Sequence, residues 1–272
     1  MQDFTLSWDD NSIDRAERSA REIKSSWRAV IRLLQFFGIT LFHIMRFTRD
    51  HVGGVLFKKK KAINGTSYLQ EWARHCNREM GLKVTVQGNP PQEGALLVSN
   101  HRSYMDITAI GEIIPTTFLA KREVSRWPVL GYGCRLVNVV FVDRESPESR
   151  QKSREEISER IANGISIVVF PEGTSYAGPG LLTFKPGVFR TAAHGRVRVV
   201  PVAVEYEDPS DAWVGEDTFI RHFMQTFSKP DIRVTVSFGP VLQSEVPDEL
   251  IKLSRAWIHS TLTRGRIPLN HN

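Results

Sequence analysis

The residues with the clearest potential for chemistry are His101 and Asp106, in the string SNHRSYMD at positions 99–106. This string follows the apolar run ALLVS, which is typical of a strand. Inside one helix, residues five apart would point about 140° away from each other. Ser103 is a favoured helix N-cap, so we expect His101 in a loop and Asp106 in the first turn of the next helix. The carboxylate can then orient the imidazole as a general base, and a substrate hydroxyl would be the nucleophile.

The same residues also allow simpler roles. Asp106 would stabilise a helix N-terminus by its charge alone, and His101 would then be an ordinary loop residue. Ser99 or Ser103 is a possible enzyme nucleophile, although capping explains Ser103 better. Cys134 has no evident activating residue, and a small buried core residue is the simpler interpretation.

Three further segments carry related signals. Phe170–Thr174 (FPEGT) follows the apolar run ISIVVF, and Val199–Ala203 reads VVPVA. Between His101 and FPEGT, the string KRE begins at Lys121, Pro128 and Gly131 follow it, and VVFVDR ends at Arg144. Together with the His/Asp string, these segments resemble, in order and spacing, the four sequence blocks of the glycerolipid acyltransferase family, which includes the lysophosphatidic acid acyltransferases. The resemblance covers about residues 80–240.

The resemblance implies transfer of a fatty acyl group from a thioester, either acyl-CoA or acyl-carrier protein, to the hydroxyl of a lyso-glycerolipid. The implied reaction converts 1-acylglycerol-3-phosphate to phosphatidic acid, with His101 as general base and Asp106 orienting it. The residues implied to bind the acceptor head group are Lys121, Arg144, Glu172, Gly173 and Thr174. A thioester donor needs no metal and no further cofactor, and cations or a helix N-terminus suit a phosphate.

Structural alternatives remain for the head-group residues. Arg144 is also suited to a surface ion pair with Asp143 or Glu145, Lys121 to simple exposure, and the Glu-Gly pair to a turn. Ser175 stands where phosphatidic-acid-forming members commonly have Arg, and the following LLTFKP resembles members that acylate other lyso-lipids, including lyso-ornithine lipid. Lyso-ornithine lipid or another lyso-lipid is therefore the alternative acceptor, and Lys185 is our candidate for the missing cation.

The elements that must position these residues alternate along the chain. Strand-like runs occur at 83–87, 95–99, 116–120, 137–142, 165–170, 197–205 and 232–238, and helical patterns occur at 67–80, 148–163 and 247–262. Ser67 and Gln70 match a capping box. Because runs such as ISIVVF indicate strands covered on both faces, we expect an α/β fold with a mixed sheet flanked by helices.

The segment 27–47 predicts an amphipathic helix with an unusually broad apolar face. Arg28, Arg32, Gln35, His43 and Arg46 form one narrow stripe, and the remaining side chains are apolar or small. Such a helix suits the headgroup layer of a membrane, and Lys58–Lys61 would add attraction to anionic lipid. We therefore divide the chain into a membrane-associating helical arm, residues 1–60, and an acyltransferase domain, residues 61–272. A buried core helix or a tilted membrane span are the alternatives.

Composition limits the remaining classes of protein. A hydrophobic fraction of 41% and two cysteines exclude disordered chains and disulfide scaffolds and indicate a reducing compartment. The net charge of +6 suits an anionic partner. The absence of G-x-S-x-G, H-E-x-x-H and Walker A motifs disfavours serine lipases or thioesterases, zinc proteases and P-loop enzymes. We expect a peripheral or monotopic protein on the cytoplasmic face of a membrane, with no nucleic-acid partner; a non-enzymatic basic lipid-surface binding protein is the rival hypothesis.

Overall fold

A seven-stranded mixed sheet with helices on both faces forms the centre of the computed structural model, which describes residues 10–56, 65–215 and 217–264. The strands are β1 (Leu82–Gln87), β2 (Leu96–Ser99), β3 (Thr116–Lys121), β4 (Val140–Val142), β5 (Ser166–Val169), β6 (Val199–Tyr206) and β7 (Ile232–Phe238). The helices are α1 (Asp10–Leu56), α2 (Gly65–Met80), α3 (Met105–Ile113), α4 (Leu130–Leu136), α5 (Pro147–Ala162), α6 (Gly187–His194), α7 (Phe219–Thr226) and α8 (Pro247–Arg264). The predicted α/β fold with a helix-flanked mixed sheet is confirmed.

The sheet has the strand order β1-β7-β6-β2-β5-β3-β4. The five strands from β6 to β4 are parallel, whereas β7 runs antiparallel to β6 and carries β1 beside it. The carboxyl ends of the five parallel strands therefore meet at one edge. In open α/β sheets this edge is where ligands bind, so the residues that follow these strands lie where a site is expected.

The central strands are buried on both faces, as their continuous apolar runs predict. Along β2, Leu97 packs beneath α2, α3 and α7, whereas Leu96 and Val98 pack beneath α5, α6 and α8. Full burial of such a side chain contributes about 1.5–3 kcal/mol. The loops at the sheet edge are thus attached to a core that holds their ends in fixed positions.

Two local predictions are wrong. The run 137–142 forms a strand only over Val140–Val142, because Asn138 takes a positive φ of 59° and turns the chain just before it. Helix α2 begins at Gly65, and Gln70 donates its side-chain N–H to the Glu112 carbonyl oxygen at 3.1 Å. The capping box expected of Ser67 and Gln70 therefore does not form.

The polar stripe of α1 exists but faces the domain rather than the surroundings. Arg32 is buried and donates to the carbonyl oxygens of Phe227, Lys229 and Pro230 at 3.1, 2.6 and 2.8 Å, and Arg28 donates to that of Ser228 at 2.5 Å. These carbonyls lie at the end of α7 and just beyond it, where a helix lacks internal donors. The basic stripe therefore attaches α1 to the domain, and the apolar face is the part of the helix that is free to contact a membrane.

The opposite face of α1 is apolar and uncovered. Leu34 is 68% exposed and Trp27 63%. The exposed apolar residues of this face are Ile23, Trp27, Ile31, Leu34, Phe37, Leu41, Phe42, Met45 and Val52. The helix is therefore not a core helix. Within the described chain, Ile23–Gly53 is long and apolar enough to cross a membrane by length and composition. The lysine run 58–61 and the boundary at residue 60 lie outside the described residues.

Candidate active site

His101 and Asp106 meet at the carboxyl end of β2. His101 lies in the loop after β2 and Asp106 in the first turn of α3, and His101 Nδ1 is 2.8 Å from Asp106 Oδ2. The imidazole stacks on the Phe170 ring, with centroids 4.1 Å apart. When Nδ1–H donates to the carboxylate, the neutral ring keeps its lone pair on Nε2. The geometry is that of a base oriented by a carboxylate.

The Asp106 carboxylate is fully buried and well supplied with donors. Oδ2 also accepts the backbone N–H groups of Arg102 and Ser103 at 2.7 and 3.1 Å. Oδ1 accepts the Tyr206 hydroxyl at 2.8 Å. Burial, followed by the charge of Asp106, raises the pKa of Tyr206 well above its usual value, so this hydroxyl remains a donor. A charge can be buried here because several hydrogen bonds replace its water.

The predicted cap residue is wrong. Ser103 Oγ is buried and has no hydrogen-bond partner among the described residues. Tyr104, one residue later, takes the cap position of α3 without a side-chain hydrogen bond. Asp106 satisfies the backbone donors before the helix, so one carboxylate both closes this turn and orients His101.

Glu172 sits deep at the end of β5, the neighbour of β2. Its Oε1 accepts the backbone N–H of His101 at 3.2 Å, and its Oε2 accepts that of Leu182 at 3.0 Å. Burial raises the pKa of the Glu172 carboxyl, while these two N–H groups and Arg102 oppose the rise. Both oxygens are engaged with backbone, so Glu172 holds the loop of His101 in place.

Two cations converge beside Gly173. Arg144 Nη1 donates to the Gly173 carbonyl oxygen at 2.5 Å rather than pairing with Asp143 or Glu145. A Cβ on Gly173 would lie 2.7 Å from Lys185 Nζ and 3.3 Å from Arg144 Nη1, and Gly173 has a φ of +79°. The positive φ favours glycine here, whereas a Cβ would only displace the flexible ends of these two side chains. The two positive groups and the open backbone form a place for an anion.

The other predicted head-group residues lie around the same space. Lys121, the exposed last residue of β3, and exposed Thr174 line the cavity that contains His101. Ser175 lines it too, but its hydroxyl donates to the Trp213 carbonyl oxygen. This hydrogen bond connects the loop between β5 and α6 to the loop between β6 and α7.

A cavity of about 510 Å³ runs from His101 to the inner face of α1. Its walls are mostly apolar and include Phe36, Phe47, Trp72, Met80, Phe118 and Leu136. Cys134 also lines it, and burial raises the pKa of its thiol to about 11. That thiol is protonated near neutral pH and is a poor nucleophile. The cavity joins a candidate base to a space suited to a hydrocarbon chain.

Sequence reasoning missed two residues of the site. Tyr206 follows the fourth sequence block but lies 100 positions from Asp106, and Trp213 reaches the site through a loop. The signal available was the position of Tyr206 at the carboxyl end of a parallel strand. Among the described residues, no group of three or more His, Cys, Asp or Glu side chains is placed to hold a metal ion.

Comparisons with known proteins find acyltransferases. The sequence profile of the Acyltransferase family matches residues 81–205. The chain is similar to the 1-acyl-sn-glycerol-3-phosphate acyltransferase of Neisseria meningitidis serogroup B, with 34% identity over 78% of this chain and 84% of that protein. It is also similar to the lyso-ornithine lipid O-acyltransferase of Rhizobium meliloti, with 32% identity over 62% of this chain and 65% of that protein.

The alignments to the lyso-ornithine lipid enzymes of Rhizobium meliloti and Pseudomonas aeruginosa span slightly less than two thirds of those relatives, 65% and 62%. Among solved structures, the 1-acyl-sn-glycerophosphate (LPA) acyltransferase of Thermotoga maritima has a TM-score of 0.60. It is 19% identical and covers 88% of this chain and 99% of its own. That likeness shows a shared fold.

Proposed function

The chain belongs to the acyltransferase family that includes 1-acyl-sn-glycerol-3-phosphate acyltransferases and lyso-ornithine lipid O-acyltransferases, and we propose that it transfers a fatty acyl group from a thioester to the hydroxyl of a lyso-lipid. The observation that carries the proposal is the His101–Asp106 contact of 2.8 Å at the end of an apolar cavity. The acyl donor is acyl-CoA or acyl-carrier protein, and no further cofactor takes part.

The reaction begins with His101 Nε2 removing the proton from the acceptor hydroxyl. The oxygen attacks the thioester carbonyl carbon and forms a tetrahedral intermediate. Its collapse breaks the C–S bond, and the imidazolium returns the proton to the departing thiolate. Asp106 keeps the ring in the required tautomer and stabilises the imidazolium by its charge. The products are an ester and a free thiol, and the base is restored.

The preferred acceptor is 1-acylglycerol-3-phosphate. Arg144 and Lys185 beside Gly173 provide two cations for its phosphate, and Lys121 and Thr174 complete the surroundings of the head group. Charge-assisted hydrogen bonds of this kind are worth about 1.5–3 kcal/mol each. Glu172 contributes by positioning His101, which revises its expected contact with the head group.

A second acceptor, lyso-ornithine lipid, is favoured by two observations. Several relatives are named lyso-ornithine lipid O-acyltransferases. In addition, Ser175 occupies the position at which phosphatidic-acid-forming members commonly have arginine. Such a head group carries an amino acid instead of a phosphate monoester and would need fewer cations. The two candidates therefore differ in how strongly they depend on Arg144.

The acyl chain would occupy the 510 Å³ cavity, and the exposed apolar face of α1 would lie in the headgroup layer of the cytoplasmic face of a membrane. Contacts with α2, α4 and α7 keep the helix along the domain. A span would require those contacts to be given up. Both cysteines are free thiols, as suits a cytoplasmic location.

The test is incubation of the full chain with isotope-labelled acyl-CoA, vesicles and a panel of lyso-lipids, with mass spectrometry of the products. We expect phosphatidic acid or acylated ornithine lipid from the wild type and a loss of either product in His101→Ala. Intact-mass detection of an acyl-enzyme with acyl-CoA alone would instead indicate an enzyme nucleophile. Lipid binding without any product, unchanged in His101→Ala, would favour the non-enzymatic binding protein.

A further inference from the structure

The segment 122–136, between β3 and β4, presents apolar side chains outward. It consists of a 3-10 turn over Arg122–Arg126, a bend, and the short helix α4. Trp127 is 40% exposed and Tyr132 44% exposed, and Pro128 is also exposed. Water solvates large aromatic side chains poorly, so a surface that holds two of them outward is suited to a partner.

The bend that carries Trp127 is strained. Val129 has φ 62° and ψ −62°, and the Leu130 N–H donates to the Pro128 carbonyl oxygen at 2.6 Å. This is the rare positive-φ γ-turn, which a β-branched residue adopts at a cost of about 1–3 kcal/mol. Gly131 lies where a Cβ would be 2.5 Å from the Ser125 carbonyl oxygen, so close backbone packing holds the bend. The bend thus holds Trp127 and Pro128 in a braced, outward-pointing tip, and Val129 and Leu130 are partly buried behind it.

Exposed cationic side chains flank this tip in the sequence. Lys121, Arg122, Arg126 and Arg135 are exposed, with Glu123 as the acidic residue of the same stretch. The Arg135 guanidinium lies 5.9 Å from the centre of the Tyr132 ring. Tryptophan and tyrosine prefer the membrane–water interface, and each nearby cation gains about 1 kcal/mol at an anionic surface. The chemistry of the segment therefore matches an anionic phospholipid surface.

The segment also continues the apolar surface of the arm. Ile44 of α1 lies 3.5 Å from where a Cβ of Gly133 would be, and Trp127, Leu130 and Ile44 line the same 510 Å³ cavity. The cavity is therefore enclosed by α1 on one side and by segment 122–136 on the other. A bilayer that reaches both would meet the cavity between them.

We propose that segment 122–136 is a second membrane contact, with exposed Trp127 and Pro128 inserted in the headgroup layer of an anionic bilayer. The inference rests on the proposed membrane docking of α1 but requires no acyl transfer. A single helix that lies on a membrane contacts it along one line, and the domain can rotate about that line. A second contact away from the helix axis prevents this rotation and keeps the cavity facing the lipid.

The experiment measures tryptophan fluorescence of the full chain on phosphatidylcholine vesicles that contain phosphatidylglycerol and bromine-labelled acyl chains. We expect Trp127→Phe to lose part of the quenching seen in the wild type. The matched control Trp257→Phe, on α8 beneath the other face of the sheet, should lose none. Phenylalanine keeps an apolar ring at position 127, and circular dichroism checks that the variant is folded.

A second arm measures affinity by vesicle sedimentation. Arg126→Ala should bind the anionic vesicles about five-fold more weakly, from about 1 kcal/mol per cation, and neutral vesicles equally well. Arg190→Ala on α6 is the control and should match the wild type. Equal quenching in Trp127→Phe and the wild type, or an unchanged affinity of Arg126→Ala, would overturn the proposal. The proposal would also be overturned if Arg126→Ala bound an acidic carrier protein more weakly than the wild type did but bound vesicles with the same affinity. Both readouts are independent of catalysis, so loss of the proposed activity would be recognised separately.

Discussion

The hydroxyl of Tyr206 offers a direct test of how the candidate base is supported. It donates to Asp106 Oδ1 at 2.8 Å from a buried position at the end of β6. Tyr206→Phe removes one oxygen atom and keeps the ring in the core. The other three donors to the carboxylate, which all bond Oδ2, remain in place.

The magnitude follows from the type of bond that is lost. A hydrogen bond to a charged group contributes about 1.5–3 kcal/mol, and a buried oxygen left without this donor cannot recover it from water. Each increase of about 1.4 kcal/mol in the activation free energy lowers a rate tenfold. If the whole loss raises the barrier of the catalytic step, kcat therefore falls by about 10- to 150-fold. The KM of the donor and that of the acceptor should change little, because Tyr206 does not contribute to the proposed head-group site.

The assay is steady-state acyl transfer by wild type, Tyr206→Phe and Tyr68→Phe. Tyr68 is a matched control, because its hydroxyl donates to Asp50 at 2.6 Å, a tyrosine–aspartate hydrogen bond between α2 and α1. We expect kcat to fall in Tyr206→Phe by far more than in Tyr68→Phe. Equal kcat in all three proteins would refute the view that the Tyr206 bond holds Asp106 in its working geometry.

The remaining predictions concern catalysis, pH and the acceptor. His101→Ala should lower kcat by roughly 10²–10⁴-fold without unfolding, and near-normal turnover would exclude it as the base. Burial, then the charges of His75 and Arg46, lower the pKa of His43 to about 4. The unfolded chain therefore binds more protons than the folded chain between pH 6.5 and 4, and stability should fall by up to about 3 kcal/mol as the pH drops through this window. Urea unfolding should show a smaller fall in His43→Gln, and identical pH profiles would contradict the assignment. Ser175→Arg should lower activity on both acceptors because it breaks the contact with Trp213. A selective gain with 1-acylglycerol-3-phosphate in kcat/KM measurements would show instead that position 175 contacts the head group.

The relation between His101 and Asp106 could be predicted because it is local. The end of a strand and the start of a helix lie within six residues, and loop geometry brings the side chains together. The misassigned cap shows the limit of the same reasoning. Serine and aspartate are both residue types that cap helices, so the sequence does not show which of Ser103 and Asp106 accepts the backbone N–H groups. Asp106 does so, and its carboxylate also accepts the hydroxyl of Tyr206, while Ser103 Oγ has no partner among the described residues.

The arm illustrates a different limit. Periodicity shows that α1 has a polar stripe and an apolar face, but it does not reveal which of them meets the protein. The answer depends on the carbonyl oxygens around Phe227–Pro230, about 200 residues away, which need donors that Arg28 and Arg32 supply. Such complementarity becomes visible only when the partner surface is known.

Helix α1 turns its polar stripe toward the domain and its apolar face outward. The strength of its contact with the domain therefore depends on whether water or lipid covers the outer face. In water, the arginine-to-carbonyl hydrogen bonds compete with solvent, which offers each group an alternative partner. A bilayer that covers the outer face excludes that competitor and lowers the local dielectric, and both effects strengthen the same bonds. Lipid binding would therefore strengthen the wall of the cavity from outside, so that the protein would be most firmly assembled at the surface that holds its proposed lyso-lipid acceptor.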